Sequence, residues 1–217
     1  LNANIFYAGS QIPFARQFSI LKRGGVSIGV IGLMGEDAFI NTMMKVNRDG
    51  LEIREPLASA QYWVDELSPQ VDMVILLTHQ GKTAPMQTDK EADPEVQRGI
   101  ADDYELAGAV RGVDLIVSGH SDNGLWQPVI HPQTGTVIVQ TFGQGKHLGV
   151  AKFALAKAAR PKLISAELIP VIAESLEDHA GVAELIAEAR AAHPSLMEVV
   201  GNLDAVAIRR YYRESSI

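Results

Sequence analysis

Cysteine is absent from this 217-residue chain. Its absence excludes disulfide scaffolds, zinc–thiolate sites, iron–sulfur clusters and cysteine nucleophiles. It leaves the redox compartment undecided, since a thiol-free chain suits an oxidising and a reducing space equally. Positive charge is also short: 19 Lys and Arg stand against 26 Asp and Glu, a formal net charge of −7. With no basic field to draw in a phosphate backbone, charge-driven nucleic-acid binding is disfavoured. No apolar run is long enough to span a bilayer; the stretch at 113–118 is typical and far too short. Leu1-Asn2-Ala3-Asn4 offers neither the basic n-region nor the long h-region of a signal peptide. The chain opens on Leu rather than Met, which raises the expectation that it is a piece of something longer.

What remains is ordinary globular composition, 47% hydrophobic and 21% charged, which argues against wholesale disorder. A chain of this length can bury a core without staples and fits one large domain or two small ones. The patterning predicts an α/β fold. Phe18–Leu21 and Val26–Leu33 read as strands joined by a Lys22-Arg23-Gly24-Gly25 turn, the second apolar enough to be covered on both faces. Pro56 suits the first turn of a helix, and Leu57, Ala60, Val64 and Leu67 follow at helical spacing before Ser68-Pro69 stops it. Val71–Thr78 and Val113–Ser118 read as buried strands, with a polar loop at Lys82–Pro94 and a helix on Ile100, Tyr104, Ala107 and Val110 between them. Strand, helix, strand, helix, strand predicts parallel pairing with right-handed crossovers. Thr136–Gln140, Val150–Leu155 and Leu163–Val171 read as an antiparallel run. A helix with Val182, Leu185, Ile186 and Ala189 on one stripe follows.

Two of the apolar strands run into histidine. Val71–Thr78 leads to His79-Gln80-Gly81, and Val113–Ser118 leads to Gly119-His120-Ser121-Asp122. Ligands of open α/β sheets gather past the carboxyl ends of the strands. Parallel neighbours would bring His79 and His120 out on one edge, with Asp122 able to reach the same space. Neutral imidazole and carboxylate suit zinc, manganese, iron or cobalt. Gly81 and Gly119 would give the sharp turns that face the imidazoles inward. The alternative is that each His is a loop residue satisfied by a backbone partner. His147, His131, His179 and His193 read as surface residues. The acidic run Asp89–Asp93 reads as solvated charge, and Trp126 either shapes the mouth of the site with Asn123 or packs.

The chain resembles the calcineurin-like metallophosphoesterases, within them the 5'-nucleotidase/UDP-sugar hydrolase family. The resemblance is carried by Ala3-Asn4-Ile5, by VSIGVIGL at 26–33, by VDMVILLTHQG at 71–81 and by LAGAVRGVDLIVSGHSD at 106–122. VIVQTFGQGKHLGVAKFAL at 137–155, AELIPV at 166–171 and the final Arg213–Ile217 add to it. It implies a partial α/β/β/α sandwich with mixed sheets: residues 1–172 would be the C-terminal half of a catalytic domain. Residues 173–217 would be a helical segment leading to a further, substrate-binding domain. It implies two divalent metal ions (Zn, Mn, Mg, Co or Fe), with His79 and His120 on one and Asp122, where the family commonly has His or Gln, on the other. It also implies a small phosphate ester such as a nucleotide as substrate, and a periplasmic or cell-surface location.

The family's Asp-x-His, Gly-Asp and Gly-Asn-His-Asp/Glu motifs do not occur in these residues. The resemblance therefore supplies no catalytic residue here, and these 217 residues alone should bind metal weakly and be inactive. Two other readings stand beside it. One is an inactive α/β binding or regulatory module. The other is a thiosulfohydrolase-like relative on the same fold.

Overall fold

The computed structural model describes residues 1–81, 100–156, 159–199 and 201, and the backbone alone at 208–211 and 214–216. The expected polar loop at 82–94 and the acidic run at 89–93 lie outside the described residues. Two compact units form, Leu1–Pro170 and Val171–Ile217.

The first unit is built on a six-stranded sheet. In chain order its elements begin with β1 (Ile5–Tyr7), β2 (Phe18–Arg23) and β3 (Val26–Met34). Then come α1 (Glu36–Asn41), α2 (Lys45–Arg48), β4 (Leu51–Ile53), α3 (Pro56–Leu67) and β5 (Met73–His79). After the undescribed stretch follow α4 (Ala101–Ala109), β6 (Leu115–Ser118), β7 (Val129–Ile130), β8 (Val137–Gln140), β9 (His147–Ala154) and β10 (Lys162–Pro170). The sheet order is β2-β3-β5-β6-β8-β7. β3, β5, β6 and β8 are parallel, and β2 and β7 are antiparallel edges. The fold is thus a mixed α/β architecture around a mixed sheet, as the apolar strand–helix alternation predicts. One expectation fails: β8 does not belong to an antiparallel run. It pairs parallel with β6, and only β9 and β10 form a separate antiparallel hairpin. Val137 and Ile138 are both buried, so β8 is covered on both faces like its parallel neighbours. The short β1–β4 pair has no clear period in the sequence.

Alternation divides the side chains between the two faces. Ile31, Leu33, Val74, Leu76, Ile116 and Ile138 pack under α3 and α4, against Ala60, Val64, Leu67, Leu106, Ala107 and Val110. α3 starts where Pro56 allows it, and the Glu55 carboxylate accepts from the amides of Leu57 (2.8 Å) and Ala58 (2.6 Å). Ile116 is fully buried in this cluster. Ile116→Ala should therefore cost about 2–5 kcal/mol by urea denaturation; a loss under ~1 kcal/mol would show that this face is not the main core. The opposite face is covered unevenly. Met73, Leu115 and Val137 pack with Phe153 and Leu163 of the β9–β10 hairpin. Further toward the strand ends, Leu77 and Val117 on the same face are 41% and 37% exposed.

In the second unit, α5 (Ala180–Ala192) forms where the apolar spacing predicts. Its stripe residues Val182, Leu185 and Ile186 are all exposed. Beyond it, β11 (Ile208–Tyr211) and β12 (Glu214–Ser216) pair antiparallel, so this unit is not wholly helical. Among the described residues, no helix is long and apolar enough to cross a membrane.

Candidate functional site

The parallel register decides which residues meet at the sheet's carboxyl edge. Leu77 pairs with Val117, and an isolated parallel bridge between Gln80 and His120 carries the alignment past both strand ends. His79 and His120 are thereby brought together. His120 Nδ1 lies 3.3 Å from His79 Nε2, with ring centroids 4.8 Å apart and a 62° interplanar angle.

The backbone reaches the arrangement in an unexpected way. Gly81, expected to give a sharp turn, takes the left-handed conformation, φ +100°. At the second strand end the left-handed residues are not Gly119 but His120 (φ 78°) and Asp122 (φ 58°). Non-glycine residues in this region cost about 1–3 kcal/mol each and persist where surrounding structure imposes them, often at functional sites. Asp122 has space because position 143 is glycine: a Cβ there would fall 2.4–2.6 Å from its carboxyl atoms.

Burial lowers the His79 pKa, the charge of His120 adds to this, and the Asp122 carboxylate opposes it. His79 is thus held neutral at pH 7, the form with a lone pair to offer. The donor set also fits a divalent cation. Two imidazole nitrogens at bonds of about 2.0–2.1 Å and a tetrahedral angle are about 3.3 Å apart, the separation seen here. Among the described residues, however, no group of three His, Asp or Glu side chains is assembled that would hold a metal ion.

Several residues near this edge were not singled out by the sequence. The Asp37 carboxylate on α1 lies 3.8 Å from His120 Nε2, the nitrogen turned away from His79. Asp103, Gln80, Ser118 and Gln140 form a buried polar cluster beneath the loops. Asp103 had a legible signal. With Ile100, Ala107 and Val110 it occupies the buried stripe of its helix, where the expected Tyr104 is instead 40% exposed. Two of the other histidines also differ from expectation. His131 is buried against Tyr104, and His147 packs its ring between Trp126 and Phe142 at 5.2 and 4.9 Å. Trp126 is thus a packing residue, and Asn123 lies fully buried rather than at a mouth.

Burial pushes the Asp103 carboxyl up to about 6, against hydrogen bonds from Ser118 and Gln80 and the nearby Thr78 hydroxyl, with Asp102 adding to the rise. The unfolded carboxyl releases its proton near 3.8 and the folded one near 6, so between these values the folded chain holds the extra proton. Stability should fall as pH rises through this window, by about 3 kcal/mol for a shift of about two units. Chemical denaturation at pH 4 and pH 6.5 checks it; a flat or rising contribution from Asp103 would contradict it.

No family model matches the chain. Curated proteins similar in sequence include UshA and 5'-nucleotidases. UshA of Yersinia enterocolitica is 28% identical over 222 residues, 92% of this chain and 38% of that protein. A 5'-nucleotidase of Vibrio cholerae is 29% identical over 189 residues, 79% of this chain and 32% of that protein. Among solved structures, the sulfate thiohydrolase SoxB of Thermus thermophilus, in complex with glycerol, superposes with a TM-score of 0.70 at 24% identity. That match covers 90% of this chain and 32% of SoxB. The fold is therefore one shared with SoxB and with the calcineurin-like phosphoesterase YfkN of Bacillus subtilis, which superposes with a TM-score of 0.60 at 18% identity over 88% of this chain and 61% of that one. In sequence the chain is similar to UshA and to 5'-nucleotidases. It spans about a third of the length of these curated relatives.

Proposed function

We propose that this chain forms part of a metal-dependent phosphoesterase that hydrolyses nucleotide-type phosphate esters. The observation that carries the reading is the imidazole pair of His79 and His120, 3.3 Å apart on adjacent parallel strand ends. His79 and His120 would hold one divalent cation, and Asp122 would contribute to a second. When bound, a pair of such cations neutralises charge on the phosphoryl oxygens and acidifies a water. The chain's own part is positional. Burial keeps His79 neutral, the left-handed turn at 120–122 aims His120 and Asp122, and glycine at 143 leaves room for the carboxylate.

In this reading residues 1–172 are the C-terminal half of the catalytic domain, and 173–217 lead toward a further, substrate-binding domain. The missing half would supply the remaining ligands and the catalytic groups, leaving these residues inactive by themselves. It would also cover Leu77 and Val117, since parallel strands are normally covered on both faces. In this reading the complete enzyme would work in the periplasm or at the cell surface, as the resemblance implies.

The test is an assay of the complete protein on nucleoside 5'-monophosphates and UDP-sugars, with and without a chelator. Phosphate or nucleoside release that the chelator abolishes supports the reading; no hydrolysis of any phosphate ester overturns it. The fold shared with SoxB favours one second reading, hydrolysis of a sulfur ester on the same scaffold, and the same assay with a thiosulfonate-type substrate separates the two. Asp122→Ala should lower the bound metal from two ions to one per complete protein, by elemental analysis; unchanged stoichiometry would remove Asp122 from the ligand set.

A further inference from the structure

Beneath the imidazole pair lies a closed chain of buried polar groups that the proposed chemistry does not use. Asp103 is fully buried on α4. Its Oδ1 accepts from Gln80 Nε2 at 2.9 Å, and its Oδ2 meets the Ser118 hydroxyl. The same hydroxyl meets Gln140 Oε1 at 2.6 Å. Gln140 donates through Nε2 to Ser121 Oγ at 2.6 Å and to the Asn123 carbonyl at 2.5 Å. These contacts join the ends of β5, β6 and β8 to the loop that bears His120 and Asp122.

The proton count of this chain is informative. The Asn123 carbonyl can only accept, so it fixes the Gln140 amide with its NH2 toward the loop and its oxygen toward Ser118. Ser118 therefore faces two oxygens, Gln140 Oε1 and Asp103 Oδ2, and has one proton to give. With Asp103 ionised, one of the two acceptors is left against a lone pair, a cost that grows in a buried site. With a proton on Asp103 the count closes. Asp103 Oδ2–H donates to Ser118 Oγ, Ser118 donates to Gln140 Oε1, and Gln140 donates to Ser121 and Asn123.

We infer that Asp103 is a positioning residue whose hydrogen-bond chain is complete when its carboxyl carries the proton. It ties the three strand ends into one donor–acceptor chain and so holds His79 and His120 at contact distance. Its surroundings agree. Thr78 of β5, Gln80 just past its end, Ser118 of β6 and Gln140 of β8 are all uncharged, and the one charge acting on it, Asp102 of its own helix, favours the protonated form. His79 stands between Thr78 and Gln80 and by strand alternation points to the other side. As pH rises through the range in which Asp103 ionises, the carboxylate claims the Ser118 proton and the link from β6 to β8 loosens. The consequence for hydrolysis rests on the metal reading above; the chain of bonds does not.

Asparagine is the isostere of the protonated acid, since its NH2 can donate to Ser118 while its oxygen accepts from Gln80. The test compares wild type, Asp103→Asn and Asp103→Ala in the metal-free 217-residue chain, by the cross-relaxation between the His79 and His120 rings and by denaturation from pH 4 to 8. Asp103→Asn should keep the ring contact at pH 7–8 and erase the fall in stability between pH 4 and 6. Asp103→Ala should lose the contact at the same pH. The inference is overturned if Asp103→Asn loses the contact as Asp103→Ala does, or if the fall in stability persists in Asp103→Asn. Should Asp103→Ala fail to fold, Ser118→Ala cuts the chain at its middle: loss of the ring contact supports the inference and its retention overturns it. Every readout is taken without metal, so a later failure to bind Zn2+ would count against the metal reading alone.

Discussion

His120→Ala in the complete protein should reduce metal-dependent phosphate-ester hydrolysis by about 10³-fold or more in kcat/KM while leaving the fold in place. The substitution removes one of two nitrogens 3.3 Å apart, so His79 alone remains to hold the shared cation. The scaffold beneath is tied together by Asp103, Ser118 and Gln140, so it should survive the loss of the ring. Because residue 120 has φ 78°, His120→Gly is the companion variant: it relieves the backbone while removing the ligand. Both variants should be equally inactive by initial-rate assay. Wild-type activity in either would remove His120 from the site; activity in the glycine variant alone would assign the alanine defect to backbone strain.

Gly35→Ala should destabilise the chain by about 1–3 kcal/mol. Gly35 is the residue at which α1 is brought against the end of β5, its amide donating to the His79 carbonyl at 2.9 Å. A Cβ there would fall 2.5 Å from Gln80 Cβ and 2.8 Å from Gln80 Cα. One of those atoms is backbone, which cannot give way cheaply. The strain should push α1 outward, carrying Asp37 away from His120 and pulling on Gln80, the partner of Asp103. Urea denaturation reads the loss. A change under ~0.5 kcal/mol would show that α1 is free to shift and does not brace the histidine edge.

Much of the scaffold was legible because its physics is local. The hairpin at β2 and β3, the capped helix at Pro56–Leu67 and the three apolar parallel strands each follow from turn chemistry or a simple period. The histidine pair was legible for a related reason: parallel strands in register bring their following residues to one edge, and both strands here are followed by His. What the sequence hid depends on long-range packing. β8 has the same short apolar pattern in a parallel or an antiparallel sheet, and only its burial on both faces distinguishes them. His131 and His147 lie in polar-looking turns, yet tertiary packing sets their rings against Tyr104 and against Trp126 and Phe142. Asp37 reaches His120 only because Gly35 lets α1 approach. Asp103 was the readable exception, a carboxylate in register with Ile100, Ala107 and Val110, overlooked because Tyr104 offered a more apolar stripe.

The most direct test of the account is a Zn2+ titration of this chain followed by imidazole 15N resonances at pH 7.5. The account predicts that His79 and His120 shift together with a common stoichiometry of one ion per pair, and that the effect is lost as pH falls through imidazole protonation. A titration in which neither resonance moves at saturating Zn2+, or in which one moves without the other, would contradict it.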